Sequence, residues 1–89
     1  KNNAVVSKNS KELADAIEWK VRNLITKRII ESATEKKLSA TFIAKEAGTS
    51  RASVTKILKD DSFGTSIDVL IRILCAVGEE MKISFKKAA

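Results

Sequence analysis

At 89 residues the chain can build one compact domain around a single core but not a second beside it. Seventeen Lys and Arg against 11 Asp and Glu leave a formal charge of +6 and a pI near 9.7, a balance that favours polyanionic partners such as nucleic acid or an acidic membrane face and that solubility alone also produces. Cys75 is the single cysteine and there is no histidine, which excludes an internal disulfide and a Cys/His zinc site and suits a reducing cytoplasm.

No apolar run is long enough to cross a bilayer, and the N-terminus holds no apolar signal core. Lys1 in place of Met fits a trimmed chain. Residues 1–9 are polar apart from Val5 and Val6 and lack periodicity, so they read as a flexible arm. From Ser10, a good N-cap, Leu13, Ile17, Val21, Ile25, Ile29 and Ala33 recur at spacing four with Leu24 on the adjoining row, which predicts a long amphipathic helix or two consecutive ones. Glu12, Lys20, Arg22, Lys27, Arg28 and Glu31 fall off that stripe and read as a solvated face. Trp19 sits beside the stripe, as a core anchor or a contact between subunits, with core burial favoured.

Thr34 to Lys37 interrupt the rhythm. Ser39 then caps a short second helix that carries Phe42, Ile43 and Ala47, and Gly48 can stop it in the left-handed conformation. Ser50 caps a third helix over 51–59 with Val54, Ile57 and Leu58 at core spacing; Arg51, Ala52, Ser53, Thr55, Lys56 and Lys59 are left outward. Asp60 to Thr65 read as a loop. Thr65 or Ser66 caps a fourth helix with Ile67, Leu70, Ile71, Leu74 and Val77 on its apolar face, closed by Gly78, and Cys75 packs in it as a small apolar residue. Met81, Ile83 and Phe85 alternate with Lys82, Ser84 and Lys86 as in a half-buried strand. Such a strand needs a partner, and the cheapest one is the same strand of a second subunit, which makes Met81, Ile83 and Phe85 the expected dimer interface.

Two short helices joined by a three-residue turn containing Gly are the geometry that sets a second helix in a DNA major groove. Leu38-Ser39, Ile43-Ala44, Gly48-Thr49-Ser50 and Val54-Thr55-Lys56-Ile57 stand in one register over about 22 residues, and there the sequence resembles the Xre family, the DNA-binding domains of the lambdoid Cro and repressor proteins. The resemblance implies an all-α, Cro/repressor-like helix-turn-helix bundle of four to five helices with a short C-terminal β-strand. It divides the chain into the arm at 1–9 and a single domain at 10–89, with the helix-turn-helix unit at 38–59 and a dimerisation segment at 66–86.

It also implies a regulator, a repressor in particular, that binds a palindromic double-stranded DNA operator as a homodimer in the cytoplasm. Base-edge contacts fall to Arg51, Ala52 and Lys56. Arg51 can bond guanine O6 and N7 together, Ala52 can touch a thymine methyl, and Lys56 can read guanine or hold a phosphate. Ser39, Thr41, Lys45, Thr49, Ser50, Ser53, Thr55 and Lys59 are assigned to the backbone side of the interface. Ala40 departs from relatives that carry Gln there, so one side-chain contact of that family is missing. The run Leu70 to Gly78 followed by the strand looks like the C-terminal part of HigA-like antitoxins, which implies a toxin protein as a further partner. The alternative reading is therefore an antitoxin or protein-interaction module with DNA binding secondary or absent.

An enzyme is not expected, and neither a cofactor nor a metal is implied. The one catalytic-looking string, Ser53-Val54-Thr55-Lys56, lacks the companion motifs of an S-x-x-K enzyme. A membrane-surface role for the basic first helix is weakened by Glu12, Asp15, Glu18 and Glu31.

Overall fold

The computed structural model describes the backbone over residues 3–87 and the side chains over 10–87. The fold is all-α, with α1 (Asn3–Lys36), α2 (Ala40–Ala47), α3 (Arg51–Leu58) and α4 (Ile67–Ala76). None of these helices is long and apolar enough to cross a membrane.

α1 is one continuous helix of 34 residues, roughly 50 Å at 1.5 Å per residue, and it sets the 53 Å length of the molecule. It is already helical at Asn3, so residues 3–9 belong to it instead of forming a separate arm, and Ser10 lies inside it and caps nothing. Residues 3–9 contain neither Pro nor Gly, and extending a helix that already exists adds one hydrogen bond per residue with no new nucleation.

Only the C-terminal half of the predicted stripe is covered. Ile25, Ile29 and Ala33 are buried while Leu13 and Ile17 are exposed. A spacing of four advances about 40° per step around a helix of 3.6 residues per turn, so the stripe turns from solvent toward the body as the chain proceeds. Trp19, expected in the core, is 61% exposed on the uncovered half.

The core joins those three residues to Ile43, Ala44 and Ala47 of α2, Val54 and Ile57 of α3, and Leu70, Ile73, Leu74 and Val77 around α4. α2 packs on both α3 and α4, and α1 packs mainly on α4. Several assignments change places. Phe42 and Ile71 are at the surface while Ile73 is fully buried, because α4 is apolar on most sides and its neighbours, not its own pattern, decide which side is covered. Cys75 is exposed, on the side of α4 away from the body, and does not pack as a core residue.

All four helices end in a left-handed residue, and only two of those are Gly: Gly48 and Gly78 share the role with Lys37 (φ 55) and Asp60 (φ 64). After α1, Leu38 N–H donates to Ala33 O at 2.9 Å and Lys37 N–H to Thr34 O at 3.2 Å, the paired bonds that satisfy the last carbonyls of a helix. After α3, Asp61 N–H donates to Lys56 O at 3.1 Å and Asp60 N–H to Ile57 O at 2.9 Å in the same manner.

Among the described residues there is no strand. Residues 79–87 run as irregular chain beside α1, with Met81, Ile83 and Phe85 exposed. Their period-two pattern needs a neighbouring strand to complete the hydrogen-bond ladder, and the described residues supply none. The start of this segment is fixed to α1: Ser32 Oγ donates to Glu79 Oε2, Arg28 lies 3.8 Å from Glu79 Oε1, and Lys36 Nζ donates to Val77 O at 2.7 Å.

Candidate nucleic-acid interface

The corner between α2 and α3 is built from local chemistry. Phe42 N–H donates to Ser39 Oγ at 3.1 Å, which caps α2. Gly48 at φ 70 then closes it, with Thr49 N–H donating to Ala44 O at 3.0 Å. Ser53 N–H donates to Ser50 Oγ at 3.1 Å, which caps α3 from the last residue of the turn. No heavy atom lies within 4 Å of where a Gly48 side chain would project, so the glycine serves the backbone angle and not a close approach.

Val54 and Ile57 are fully buried and fix α3 to the body. The remainder of the helix faces solvent: Arg51, Ala52 and Lys59 are exposed, and Ser53, Thr55 and Lys56 are half-buried. Arg51, Ala52, Thr55, Lys56 and Lys59 line one shallow concavity together with Asp61. Five of the eleven residues singled out from sequence thus meet in one place. Ser39, Thr41, Lys45 and Ser50 are exposed and Thr49 is half-buried, but they lie on α2 and the turn, outside that concavity; Ser53 faces the cap.

Two of its members were not foreseen in these positions. Asp61 enters because Asp60 takes a left-handed φ and returns the chain against the end of α3. Two adjacent acids after a basic helix were the only signal of it. Lys56, expected to reach a guanine or a phosphate, donates from Nζ to Phe63 O in the α3–α4 loop. The Ser53 hydroxyl accepts from Ser50 Oγ, so Ser53 and Lys56 are directed to different partners.

The loop is held from behind by Arg22, whose side chain is only 12% exposed. Its guanidinium donates to Ser62 O at 2.9 Å, to Thr65 O, and to Glu18 Oε2 at 3.0 Å. Arg22 is therefore a clamp and not part of a solvated face. Phe63, at the loop tip beside Lys56, is 80% exposed. Among the described residues no three His, Cys, Asp or Glu side chains gather in a way that could hold a metal ion.

Comparison of the chain with protein-family models, with curated proteins and with solved structures finds no match to any of them.

Proposed function

We propose that the chain is a sequence-specific DNA-binding regulator of Cro/repressor type that reads the major groove with α3. The observation that carries this is the division of α3 into two sides, with Val54 and Ile57 sealed in the core while Arg51, Ala52, Thr55, Lys56 and Lys59 stand together at the surface of a protein of net charge +6. In that role Arg51 reads guanine and Ala52 packs on a thymine methyl. Lys59, with Thr41 and Lys45 on α2, holds phosphates.

Asp61 adds a refinement. A carboxylate in a cationic concavity disfavours phosphate and favours a donor such as the cytosine amine. Lys56 reaches DNA by exchanging the Phe63 carbonyl for a phosphate or base oxygen. The protein acts in the cytoplasm on a palindromic site, as a dimer to which Met81, Ile83 and Phe85 contribute.

Selection of bound sequences from a random duplex pool tests this reading, followed by titrations at two salt concentrations. Arg51→Ala costs about 1–3 kcal/mol on the selected site and relaxes one base pair, while Lys59→Ala weakens selected and random DNA alike. Equal loss on both DNAs for Arg51→Ala, or a pool that yields no preferred sequence, refutes sequence reading by α3.

A further inference from the structure

Residues 80–87 present a bare backbone. Among the described residues no N–H or C=O of this segment bonds to another backbone group, and Met81, Ile83 and Phe85 are 38%, 65% and 94% exposed. Such a row of donors and acceptors is a template for another strand.

The segment is its own complement. It reads Glu79-Glu80-Met81-Lys82-Ile83-Ser84-Phe85-Lys86-Lys87, acidic at one end, basic at the other and apolar at alternate positions between. Laid antiparallel on a second copy about a two-fold axis at Ile83, it opposes Glu80 to the partner's Lys86, Met81 to the partner's Phe85 and Ile83 to its own copy. Directly opposed residues share a face. Met81, Ile83 and Phe85 of both copies then make one apolar face, and on the other face acid meets base at both ends.

The neighbouring registers do not match. An axis at Lys82 sets Lys82 on its own copy and Phe85 on the partner's Glu79, and an axis at Ser84 sets Lys82 on the partner's Lys86. A parallel pair in register sets Glu80 on Glu80 and Lys86 on Lys86, and like charges directly opposed are destabilising. Glu79 is already held by Ser32 and Arg28. Glu80 and Lys86 have no ion-pair partner among the described residues, so theirs is the pair that selects the register.

We propose that residues 80–86 of two copies pair as an antiparallel ribbon with its axis at Ile83, and that the strand exists only in the dimer. A two-stranded ribbon is marginal alone. Here Met81 shares a groove with Val21 and Leu24 of α1, which gives the apolar face a support and brings the partner's Phe85 to its rim. The inference deepens the dimer of the reading above and rests on it for a second copy. Every measurement is made without DNA, so failure of α3 to select a sequence and failure of the ribbon are separate results.

Sedimentation equilibrium of the full chain should show a dimer, and Ile83→Asp, which places two carboxylates at the axis, should abolish it. Glu80→Lys and Lys86→Glu each oppose like charges at both ends. Each should weaken the dimer about tenfold, although they move the net charge of +6 in opposite directions. The double variant restores acid against base and should return to within about threefold of the parent. In a Cys75→Ser background, Ile83→Cys should cross-link on mild oxidation, because the axis sets that residue against its own copy. Lys86→Cys should not, since it lies about 20 Å from its copy at about 3.3 Å per residue. All these positions are exposed, and circular dichroism at equal helix content confirms an intact fold.

A monomer at millimolar concentration, or a dimer indifferent to Ile83→Asp, overturns the proposal. So does a double variant as weak as its single parents, or single variants whose effects follow net charge in opposite directions. Cross-linking of Lys86→Cys as readily as Ile83→Cys overturns the register and the proposal with it.

Discussion

Replacing Arg22 by Met keeps most of the aliphatic volume and removes the charge and every donor. Two backbone carbonyls, Ser62 O and Thr65 O, then lose the guanidinium that joins α1 to the α3–α4 loop. Ser62 is 8% exposed, so water replaces that bond poorly, although Thr65 N–H still donates to Ser62 O at 3.0 Å. Hydrogen bonds to a charged group contribute about 1.5–3 kcal/mol each, and the sharing of one carbonyl holds the sum for two to about 2–4 kcal/mol. The exposed partner Glu18 adds at most about 0.5 kcal/mol.

For a domain of this size that is a fall in Tm of roughly 10–25 °C. Urea unfolding followed by circular dichroism measures it, with Glu18→Gln as the control expected to change almost nothing. Arg22→Lys should be intermediate, since an ammonium reaches the carbonyls but cannot fork across both. A loss below about 0.5 kcal/mol for Arg22→Met, the level of an ordinary surface substitution, would refute the clamp.

Helix ends give a pair of opposite outcomes. Lys37→Gly relieves a left-handed lysine and should stabilise by about 0.5–1 kcal/mol, while Gly48→Ala, which has open space around it, should cost about 1 kcal/mol from backbone conformation alone; thermal melts of both read the signs. Acid should remove the Glu79 contribution. The Ser32 hydroxyl, then Arg28 and Lys36, hold its carboxyl below the ordinary value of 4.5, so it stabilises the folded chain above that value and ceases to as pH falls through the lower folded one. Urea midpoints of the parent and Glu79→Gln should therefore differ at neutral pH and converge in strong acid; a gap that does not change with pH defeats the assignment.

Much of the route from α2 to α3 is legible in the sequence because each step is short-ranged: Ser39 and Ser50 reach amides three residues ahead, and Gly48 supplies its own backbone angle. What escapes is decided over long separations. Arg22 looks like any helical surface charge until the loop 40 and 43 residues later arrives against it. Leu13 and Ile17 carry the same spacing as Ile25 and Ile29, and only the extent of the body tells which pair is covered. Ile71 and Ile73 are equally apolar, and the neighbours of α4 choose between them. At the candidate interface, Arg51, Ala52, Thr55 and Lys59 follow from helical periodicity, whereas Asp61 depends on one residue, Asp60, adopting an angle that Asp tolerates without signalling.

The long α1 also governs how the chain moves in water. A body measuring 53 × 23 × 19 Å reorients end over end more slowly than it spins about its length, both on a nanosecond scale. The sole indole, Trp19, rides on the projecting spar at 61% exposure, so its polarised emission reports the tumbling of the whole body. Any ligand of macromolecular mass slows that tumbling through added drag, without having to approach the fluorophore, which makes the unlabelled protein its own hydrodynamic gauge.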